Sequence, residues 1–185
     1  TVVGAGYVGL SLATLMSKHN NVVLLDIDQN KIAKIKDKIS PILDNDLSVY
    51  LKTQKLDLNP TINLDEAYKD SNFVIICTPT NYDIETNEFD TKSVEEAIEN
   101  SIKYSKDASI VIRSTVPVGF TKKMQDRYRT QNIFFSPEFL REGSAIRDNI
   151  NPSRINVGSN DKNGKQFSSI LQQISHHSKD GIPIE

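Results

Sequence analysis

The sequence lacks several features that would define the class of the protein. It holds a single cysteine, Cys77, which excludes a disulfide framework and favours a reducing cytoplasm. No apolar run approaches the ~20 residues that a membrane-spanning helix needs, and the chain shows no repeat, low-complexity segment or signal peptide. Positive charge is not in excess, because the net charge is −2 and the lysines are scattered or lie beside acids. We therefore expect a cytoplasmic protein that binds neither a membrane nor nucleic acid.

The remaining composition is ordinary for a globular chain: 185 residues, of which 37% are hydrophobic and 25% charged. This length suits one domain with its own core. Thr1 already belongs to a strand-like run, so we expect a few residues before it, and Ile184 is predicted to enter a further strand. The histidines have no cysteine or carboxylate partners at ligand spacing, so we predict no metal site.

Short apolar runs recur along the chain and predict strands. The clear runs are Val2–Val3, Val22–Leu25, Phe73–Ile76, 110–112 and Ile133–Phe135, with a weaker one at 61–63. The clear runs do not alternate with polar residues, so both faces of each strand are expected to be buried. Such strands are typical of a parallel sheet that is covered by helices.

Helical spacing fills the intervals between these runs. Apolar stripes predict a helix in each case, and they consist of Val8, Leu12 and Leu15, then Ile32, Ile35 and Ile39, then Val94, Ala97, Ile98 and Ile102. Ser93 and Glu96 have capping-box spacing at the third helix. Strand–helix–strand units of this length imply right-handed crossovers. The sequence therefore predicts an α/β fold with a doubly wound, mainly parallel sheet and helices on both faces.

The pattern changes after the fifth clear run. Ser136 and Pro137 are typical of a helix start, as cap and first-turn residue. Residues 154–158 are a candidate for one more strand. A last apolar stripe predicts a final helix and consists of Phe167, Ile170, Leu171 and Ile174.

A glycine-rich string, Gly4-Ala5-Gly6-Tyr7-Val8-Gly9, follows the first strand. The first glycine permits a tight turn, the second lets a pyrophosphate approach backbone N–H groups, and the third allows close helix–strand packing. Asp26 ends the second strand, where a carboxylate accepts hydrogen bonds from both ribose hydroxyls and repels a 2′-phosphate. The sequence therefore predicts a Rossmann-type fold that binds NAD rather than NADP. The alternative is a structural glycine turn with an exposed acid, and Asp28 is expected to cap the next helix.

Three loops follow the next three strands and should meet at the carboxyl edge of the sheet, where ligands bind in such folds. They are Cys77-Thr78-Pro79-Thr80-Asn81, 114–119 and 136–143. We expect them to face the nicotinamide end of the cofactor, with simple turn chemistry as the alternative for the first two. Glu138 and Glu142 would share a face of the predicted helix and suit acid–base chemistry. The alternative for both carboxylates is stabilisation of the helix dipole.

Together these motifs resemble those of the UDP-glucose/GDP-mannose dehydrogenase family. The similarity runs through nearly the whole chain, in the order GAGYVGLSLA, CTPTNYD, RSTVPVGFT, FSPEFLREGSA and NPSRINVG. Within the family, TPTNYD and SPEFLREG are most similar to the bacterial UDP-glucose 6-dehydrogenases. The resemblance implies a four-electron oxidation of UDP-glucose to UDP-glucuronate, with two NAD reduced per sugar, that supplies polysaccharide biosynthesis.

The resemblance also assigns roles to residues. The positions that match NAD contacts are Val8, Asp26, Lys31, Thr80, Thr115 and Glu142, beside the glycine string and the Thr78-Pro79 turn. The segment Glu138-Phe139-Leu140-Arg141-Glu142 matches the substrate-binding loop. Thr115 matches a residue that positions a catalytic water, Glu142 one implicated in thioester hydrolysis, and Glu138 a second carboxylate of the site.

The resemblance covers only part of an enzyme. The family's nucleophilic cysteine, central helix and UDP-sugar domain would lie beyond residue 185. Residues 1–185 are therefore expected to be an NAD-binding domain, inactive alone, in a homodimeric protein. Cys77 does not match the nucleophile, and we predict a small core residue there because no electropositive neighbour is evident. Two alternatives remain open: a dehydrogenase of GDP-mannose or a UDP-N-acetylhexosamine, and a non-catalytic NAD-sensing module.

Overall fold

The computed structural model of the chain describes residues 1–85 and 87–175. Its strands are β1 (Val2–Val3), β2 (Val22–Leu25), β3 (Leu58–Thr61), β4 (Phe73–Ile76), β5 (Tyr82–Asp83), β6 (Glu88–Phe89), β7 (Ser109–Ile112) and β8 (Ile133–Phe135). Its helices are α1 (Tyr7–Met16), α2 (Gln29–Lys36), α3 (Asn45–Thr53), α4 (Leu64–Tyr68), α5 (Lys92–Tyr104), α6 (Phe120–Tyr128), α7 (Ala145–Ile150) and α8 (Lys162–Ile174).

Six of the strands form one parallel sheet, in the order β3-β2-β1-β4-β7-β8. The chain begins in the middle of the sheet at β1, builds outwards to β3, and then crosses over to β4 and builds outwards to β8. The order therefore reverses between β1 and β4, where the loops that follow the two strands diverge and leave room for a ligand. Strands β5 and β6 form a separate antiparallel pair.

Helices cover both faces of this sheet, as the continuous apolar strands predict. On one face, α1, α3, α7 and α8 contribute to a core that includes Leu12, Leu47, Ile146 and Phe167. On the other face, the core contains side chains of α4, α5 and α6, such as Tyr68, Ile98 and Met124. The predicted doubly wound α/β fold is therefore confirmed. None of the helices described is both long and apolar enough to cross a membrane.

The predicted elements of the first half are largely found, with two differences. The stripe at Ile32 and Ile35 lies on α2, but Ile39 falls after the helix and is 49% exposed. The chain leaves the helix at Asp37, and Lys38 has a positive φ of 59°. The weak run predicts a strand at 61–63, whereas β3 spans Leu58–Thr61 and so begins three residues earlier.

Three predictions about local structure are wrong. Ser93 makes no cap at α5, because its hydroxyl donates instead to the carbonyl of Pro79 at 2.9 Å. Residues 136–141 form a loop and not a helix, since α7 begins only at Ala145. Residues 154–158 contain a single bridge position, Ile155, in place of a strand. The strand predicted at Ile184 lies outside the described residues.

Candidate functional site

The glycine string forms the turn between β1 and α1, and each of its glycines has a distinct geometry. Gly4 has a φ of 103°, and an added Cβ would lie 2.7 Å from the carbonyl oxygen of Cys77. A Cβ on Gly9 would lie 1.9 Å from the carbonyl oxygen of Gly4, so the helix packs directly on the turn. A Cβ on Gly6 would meet no atom within 4 Å. The string is therefore closed against the protein at both ends and open at its centre.

The open centre coincides with the start of α1. Gly6 is the N-cap residue and gives the helix no side-chain hydrogen bond, and the first turn carries no acidic residue. The first N–H groups of a helix have no partner within the helix, and its dipole adds partial positive charge there. Tyr7 and Val8, both half-buried, flank this opening. The arrangement suits a phosphate group at the helix N-terminus.

Asp26 lies beside the same turn, at the carboxyl end of β2. Its Oδ2 accepts a hydrogen bond from the backbone N–H of Ala5 at 2.6 Å, and its Oδ1 accepts one from Asp28 N–H at 2.9 Å. Each carboxylate oxygen can accept a second hydrogen bond. The carboxylate is therefore oriented by the backbone and keeps the capacity to accept two hydroxyl donors.

The next helix continues this side of the site. The Asp28 side chain accepts hydrogen bonds from the N–H groups of Asn30 and Lys31, so its predicted role as the cap of α2 is confirmed. Lys31 is half-buried in the first turn of α2. Ile27, between the two aspartates, is fully exposed.

Hydrogen bonds join the three loops at the carboxyl edge. The Ser114 hydroxyl donates to the carbonyl of Thr78 at 2.6 Å, which links the loops after β7 and β4. Arg113 Nη1 donates to Ser136 Oγ at 3.2 Å, which links the ends of β7 and β8. The contact of Gly4 with the segment after β4 brings the glycine string into the same edge. The loops that the sequence placed together are adjacent in the structure.

The predicted catalytic residues occupy exposed or half-buried positions on these loops. Thr115 is exposed after β7, Glu138 is half-buried after β8, and Glu142 is exposed in a turn. Glu138 Oε2 accepts a hydrogen bond from Leu140 N–H at 2.6 Å, so this side chain folds back on its own loop. Because residues 136–141 are not helical, the interpretation that Glu138 and Glu142 share a helix face is wrong.

Arg141 of the predicted substrate segment is held by one aspartate of α7. The Asp148 carboxylate accepts from the backbone N–H and the guanidinium of Arg141, with the shortest distance 2.7 Å. These hydrogen bonds and the ion pair lower the pKa of Asp148. Phe139 is 52% exposed, and the Arg154 guanidinium lies 4.4 Å from the centre of its ring. The segment therefore presents the Phe139 ring and the Arg141 guanidinium at the surface, with Arg154 beside the ring.

Arg113 is the residue of this site that the sequence argument missed. It follows β7 directly, is only 7% exposed, and lies close enough to Cys77 and Glu138 for their charges to interact. Burial lowers the pKa of the guanidinium, although arginine stays charged in proteins. The signal was available, because an arginine directly after a buried apolar strand is an unusual location for a charge.

Cys77 packs against the core, as predicted, but its surroundings differ from the prediction. Arg113 is an electropositive neighbour, which the sequence argument did not expect. Burial nevertheless raises the pKa of the Cys77 thiol to about 12, and Glu138 adds to this while Arg113 opposes it. The thiol is therefore protonated at neutral pH and unsuited to nucleophilic attack.

Metal chemistry has no visible basis in residues 1–85 and 87–175. Across these ranges no group of three or more His, Cys, Asp or Glu side chains is placed to hold a metal ion. The absence of a metal from the protein stays a prediction.

Comparison with known proteins agrees with this geometry. The family described as UDP-glucose/GDP-mannose dehydrogenase family, NAD binding domain, matches residues 1–177. A UDP-glucose 6-dehydrogenase from Streptococcus pneumoniae is 43% identical over 177 residues, which cover 92% of this chain and 45% of the relative. The enzyme of the same name from Campylobacter jejuni is 44% identical over 172 residues, 92% of this chain and 44% of the relative.

The same similarity is visible between structures. A ternary complex of GDP-mannose dehydrogenase from Pseudomonas aeruginosa superposes with a TM-score of 0.81 at 25% identity, over 99% of this chain and 44% of that chain. The chain thus spans less than half the length of each of these three relatives. Because the family match extends over residues 1–177 and includes the glycine string, the chain belongs to the UDP-glucose/GDP-mannose dehydrogenase family, as its NAD binding domain.

Proposed function

We propose that this chain is the cofactor-binding part of an enzyme that oxidises UDP-glucose to UDP-glucuronate. The observation that carries the proposal is the 43–44% identity to UDP-glucose 6-dehydrogenases over 92% of the chain. In this proposal residues 1–185 form the NAD-binding domain. The nucleophilic cysteine and most of the UDP-sugar site belong to the remainder of the enzyme, which acts as a cytoplasmic homodimer.

The residues of the chain divide the binding of NAD between them. The string from Gly4 to Gly9, including Tyr7 and Val8, receives the pyrophosphate at the N-terminus of α1. The free acceptor capacity of Asp26 suits the two ribose hydroxyls, and Lys31 lies next to it on α2. The nicotinamide end is directed towards the loops after β4 and β7, where it would meet Thr78, Pro79, Thr80 and Thr115.

The reaction removes four electrons from one carbon. NAD, when held at this site, would supply the hydride acceptor for two successive oxidations, from the C6 alcohol to an aldehyde and then to a carboxylate. The second oxygen of the carboxylate comes from water, and the protons released pass to carboxylates of the site and to solvent. On this chain, Thr115 is proposed to hold that water, Glu142 to accept its proton, and Glu138 to act as the second carboxylate.

The substrate loop contributes recognition. Glu138, Phe139, Leu140, Arg141 and Glu142 are proposed to contact the sugar nucleotide. Support comes from the exposure of Phe139 and from the Asp148 anchor, which fixes the backbone of the loop at Arg141. Preorganised loops lose little entropy on binding, which favours both affinity and orientation.

A different nucleotide sugar is the second candidate. The observation in its favour is the superposition on a GDP-mannose dehydrogenase at a TM-score of 0.81. A non-catalytic NAD sensor is a weaker alternative, because a sensor has no use for a carboxylate-bearing loop beside the cofactor site.

The test compares several substrates with the complete gene product, and compares the complete gene product with residues 1–185. The complete gene product is supplied with NAD and, separately, with UDP-glucose, GDP-mannose or UDP-N-acetylmannosamine, and NADH is followed by absorbance. We expect UDP-glucose to give the highest kcat/KM, whereas a higher value with another sugar would replace it as substrate. Residues 1–185 alone should bind NAD in calorimetry and form no NADH. Steady NADH production by this chain alone would contradict the proposed division of the enzyme.

A further inference from the structure

A cavity of about 260 Å³ lies behind the substrate loop, between the loop after β8, the segment 151–156 and the last turn of α8. Its lining combines Arg113 and Asn156 with Glu138 of the loop. The volume suits a fragment of a ligand, such as a phosphate group or a sugar acid, more than a whole cofactor. None of the roles proposed above uses Arg113 or Asn156.

Arg113 brings a buried positive charge into this cavity without a carboxylate in direct contact with it. Among the described residues it belongs to no ion pair within 4 Å, and its Nε is buried without a hydrogen-bond partner. Its Nη1 is already engaged with Ser136. An unpaired buried charge is unfavourable, so its retention calls for a compensating group.

The free part of the guanidinium has a defined chemistry. Nε and Nη2 form one edge of the planar group, and this edge matches the two oxygens of a carboxylate or phosphate through parallel hydrogen bonds. Ser136 engages Nη1, and Nε on the other edge is buried without a hydrogen-bond partner.

Asn156 supplies a second unsatisfied group on the same cavity. Its Oδ1 is buried without a partner, while its backbone carbonyl accepts from the Ser136 hydroxyl at 2.7 Å. An asparagine amide can present its oxygen or, turned by 180°, its NH₂ group. The side chain can therefore accept from a hydroxyl of a ligand or donate to an anionic oxygen.

The charges around the cavity favour an anion. Five charged side chains line it: Arg113, Arg141, Arg154, Glu138 and Asp148. Arg141 and Asp148 form an ion pair, with Nη2 2.7 Å from Oδ1, so their charges cancel. Arg113 and Arg154 then outnumber Glu138, one of whose oxygens is held by its own loop.

We propose that this cavity is an oxyanion site, in which the Nε–Nη2 edge of Arg113 holds a carboxylate or phosphate group and Asn156 completes its hydrogen bonding. The site is distinct from the phosphate position at the start of α1. Two sources of such a group arise if the proposed oxidation holds: the diphosphate of the sugar nucleotide and the carboxylate of the uronate product. The oxyanion site itself does not depend on the identity of the substrate.

The test uses residues 1–185 labelled with ¹⁵N, and follows the Nε–Hε resonance of Arg113 during titration. The probes are inorganic phosphate and glucuronate, each at constant ionic strength. Arg113→Met removes the charge and the hydrogen-bond donors. Arg113→Lys keeps the charge but lacks the planar pair of N–H donors. Arg129→Lys, at the exposed C-terminus of α6, is the matched control.

We expect a saturable shift of the Arg113 resonance with at least one probe, and the probe that binds identifies the phosphate or the carboxylate as the source. Binding should be lost in Arg113→Met, weakened about tenfold in Arg113→Lys, and unchanged in Arg129→Lys. The absence of a saturable shift with both probes, or unchanged affinity in the Arg113 variants, would overturn the proposal. Neither probe is oxidised by NAD, so this result is independent of the activity assay.

Discussion

The two halves of the carboxyl edge are built by different means. Around β1 and β2 the backbone forms the site, through a turn that only glycine permits and through N–H groups that orient Asp26. Around β7 and β8 side chains form it, through Arg113, Ser136 and Glu138. The first half is called here the glycine-loop half and the second the arginine half. Their difference implies that the first depends on backbone conformation and on the small size of glycine, whereas the second depends on hydrogen bonds between side chains.

Cys77 lies between the two halves, and its reactivity reports whether water reaches the region between them. With a pKa raised from 9.0 to about 12, the native thiol should react with iodoacetamide at pH 7.5 about a thousandfold more slowly than the urea-unfolded chain. Arg113→Met should not accelerate the native reaction, because it removes the charge that stabilises the thiolate. Native and unfolded rates within tenfold of each other would show that water reaches this boundary.

Gly9→Ala should damage the glycine-loop half most. The added Cβ would lie 1.9 Å from the Gly4 carbonyl oxygen, so α1 must move, at a cost of about 3 kcal/mol in the free energy of unfolding. Gly6→Ala is the control, because its Cβ meets no atom within 4 Å, and it should cost less than about 1 kcal/mol. Urea denaturation measures both.

The same pair of variants separates folding from binding. Gly6→Ala should abolish detectable NAD binding in calorimetry while the chain stays folded, since its Cβ enters the space that the pyrophosphate needs. Tight NAD binding by Gly6→Ala, or native stability of Gly9→Ala, would show that the turn does not act as described.

Asp26→Ala tests the ribose contact. We expect the Kd for NAD to rise at least about tenfold, or roughly 1.4 kcal/mol, and the Kd for NADP to rise less, because the variant also removes repulsion of the 2′-phosphate. Asp28→Ala is the control: it should lower stability by about 1 kcal/mol through loss of the α2 cap and leave the ratio of the two Kd values unchanged. Equal losses for NAD and NADP in Asp26→Ala would remove Asp26 from the ribose site.

Asp148→Asn tests the anchor of the arginine half. The Asp148 side chain is 13% exposed and holds the backbone and guanidinium of Arg141, so its loss should cost about 1 kcal/mol. Because the pKa of Asp148 is lowered from 3.8 in the folded chain, this stability is present above pH 3.8 and is lost as the pH falls through the lower folded value.

We therefore expect the difference in free energy of unfolding between wild type and Asp148→Asn to shrink as the pH falls. Asp126→Asn breaks an exposed pair with Lys122 in α6 and should change stability by roughly 0.3 kcal/mol. The stabilising role of Asp148 would be contradicted if the loss of stability in Asp148→Asn stayed constant from pH 7 to pH 2.5. A loss as small as that in Asp126→Asn would contradict it too.

The glycine-loop half could be predicted from sequence because its requirements are visible in residue type and position. Gly4, Gly6 and Gly9 act through the conformation and size of single residues, and Asp26 follows from its place at the end of β2. The buried strands were predictable for a similar reason, since continuous apolar runs report burial on both faces. The displaced strand β3 contains Asn59 and Pro60, residues that disfavour strands, and local propensity therefore missed it.

The position of the loops in the arginine half was predicted, but their side-chain contacts were not, because the side chains of Arg113 and Ser136 bond with other loops and not with their own segment. Ser136 precedes a proline, as a helix-capping serine often does. Its hydroxyl instead accepts a hydrogen bond from Arg113 and donates one to the carbonyl of Asn156, twenty residues later. Ser93 likewise bonds with Pro79 instead of capping α5. Such long-range hydrogen bonds override local signals, and only the folded chain reveals them.

The most direct test of the account is the stoichiometry of the complete gene product with NAD and UDP-glucose. We predict two NADH for each UDP-glucose consumed, with UDP-glucuronate as the product by mass spectrometry. One NADH per sugar with a released aldehyde, or no NADH at all despite NAD binding, would contradict the proposal that this domain serves a four-electron oxidation of UDP-glucose.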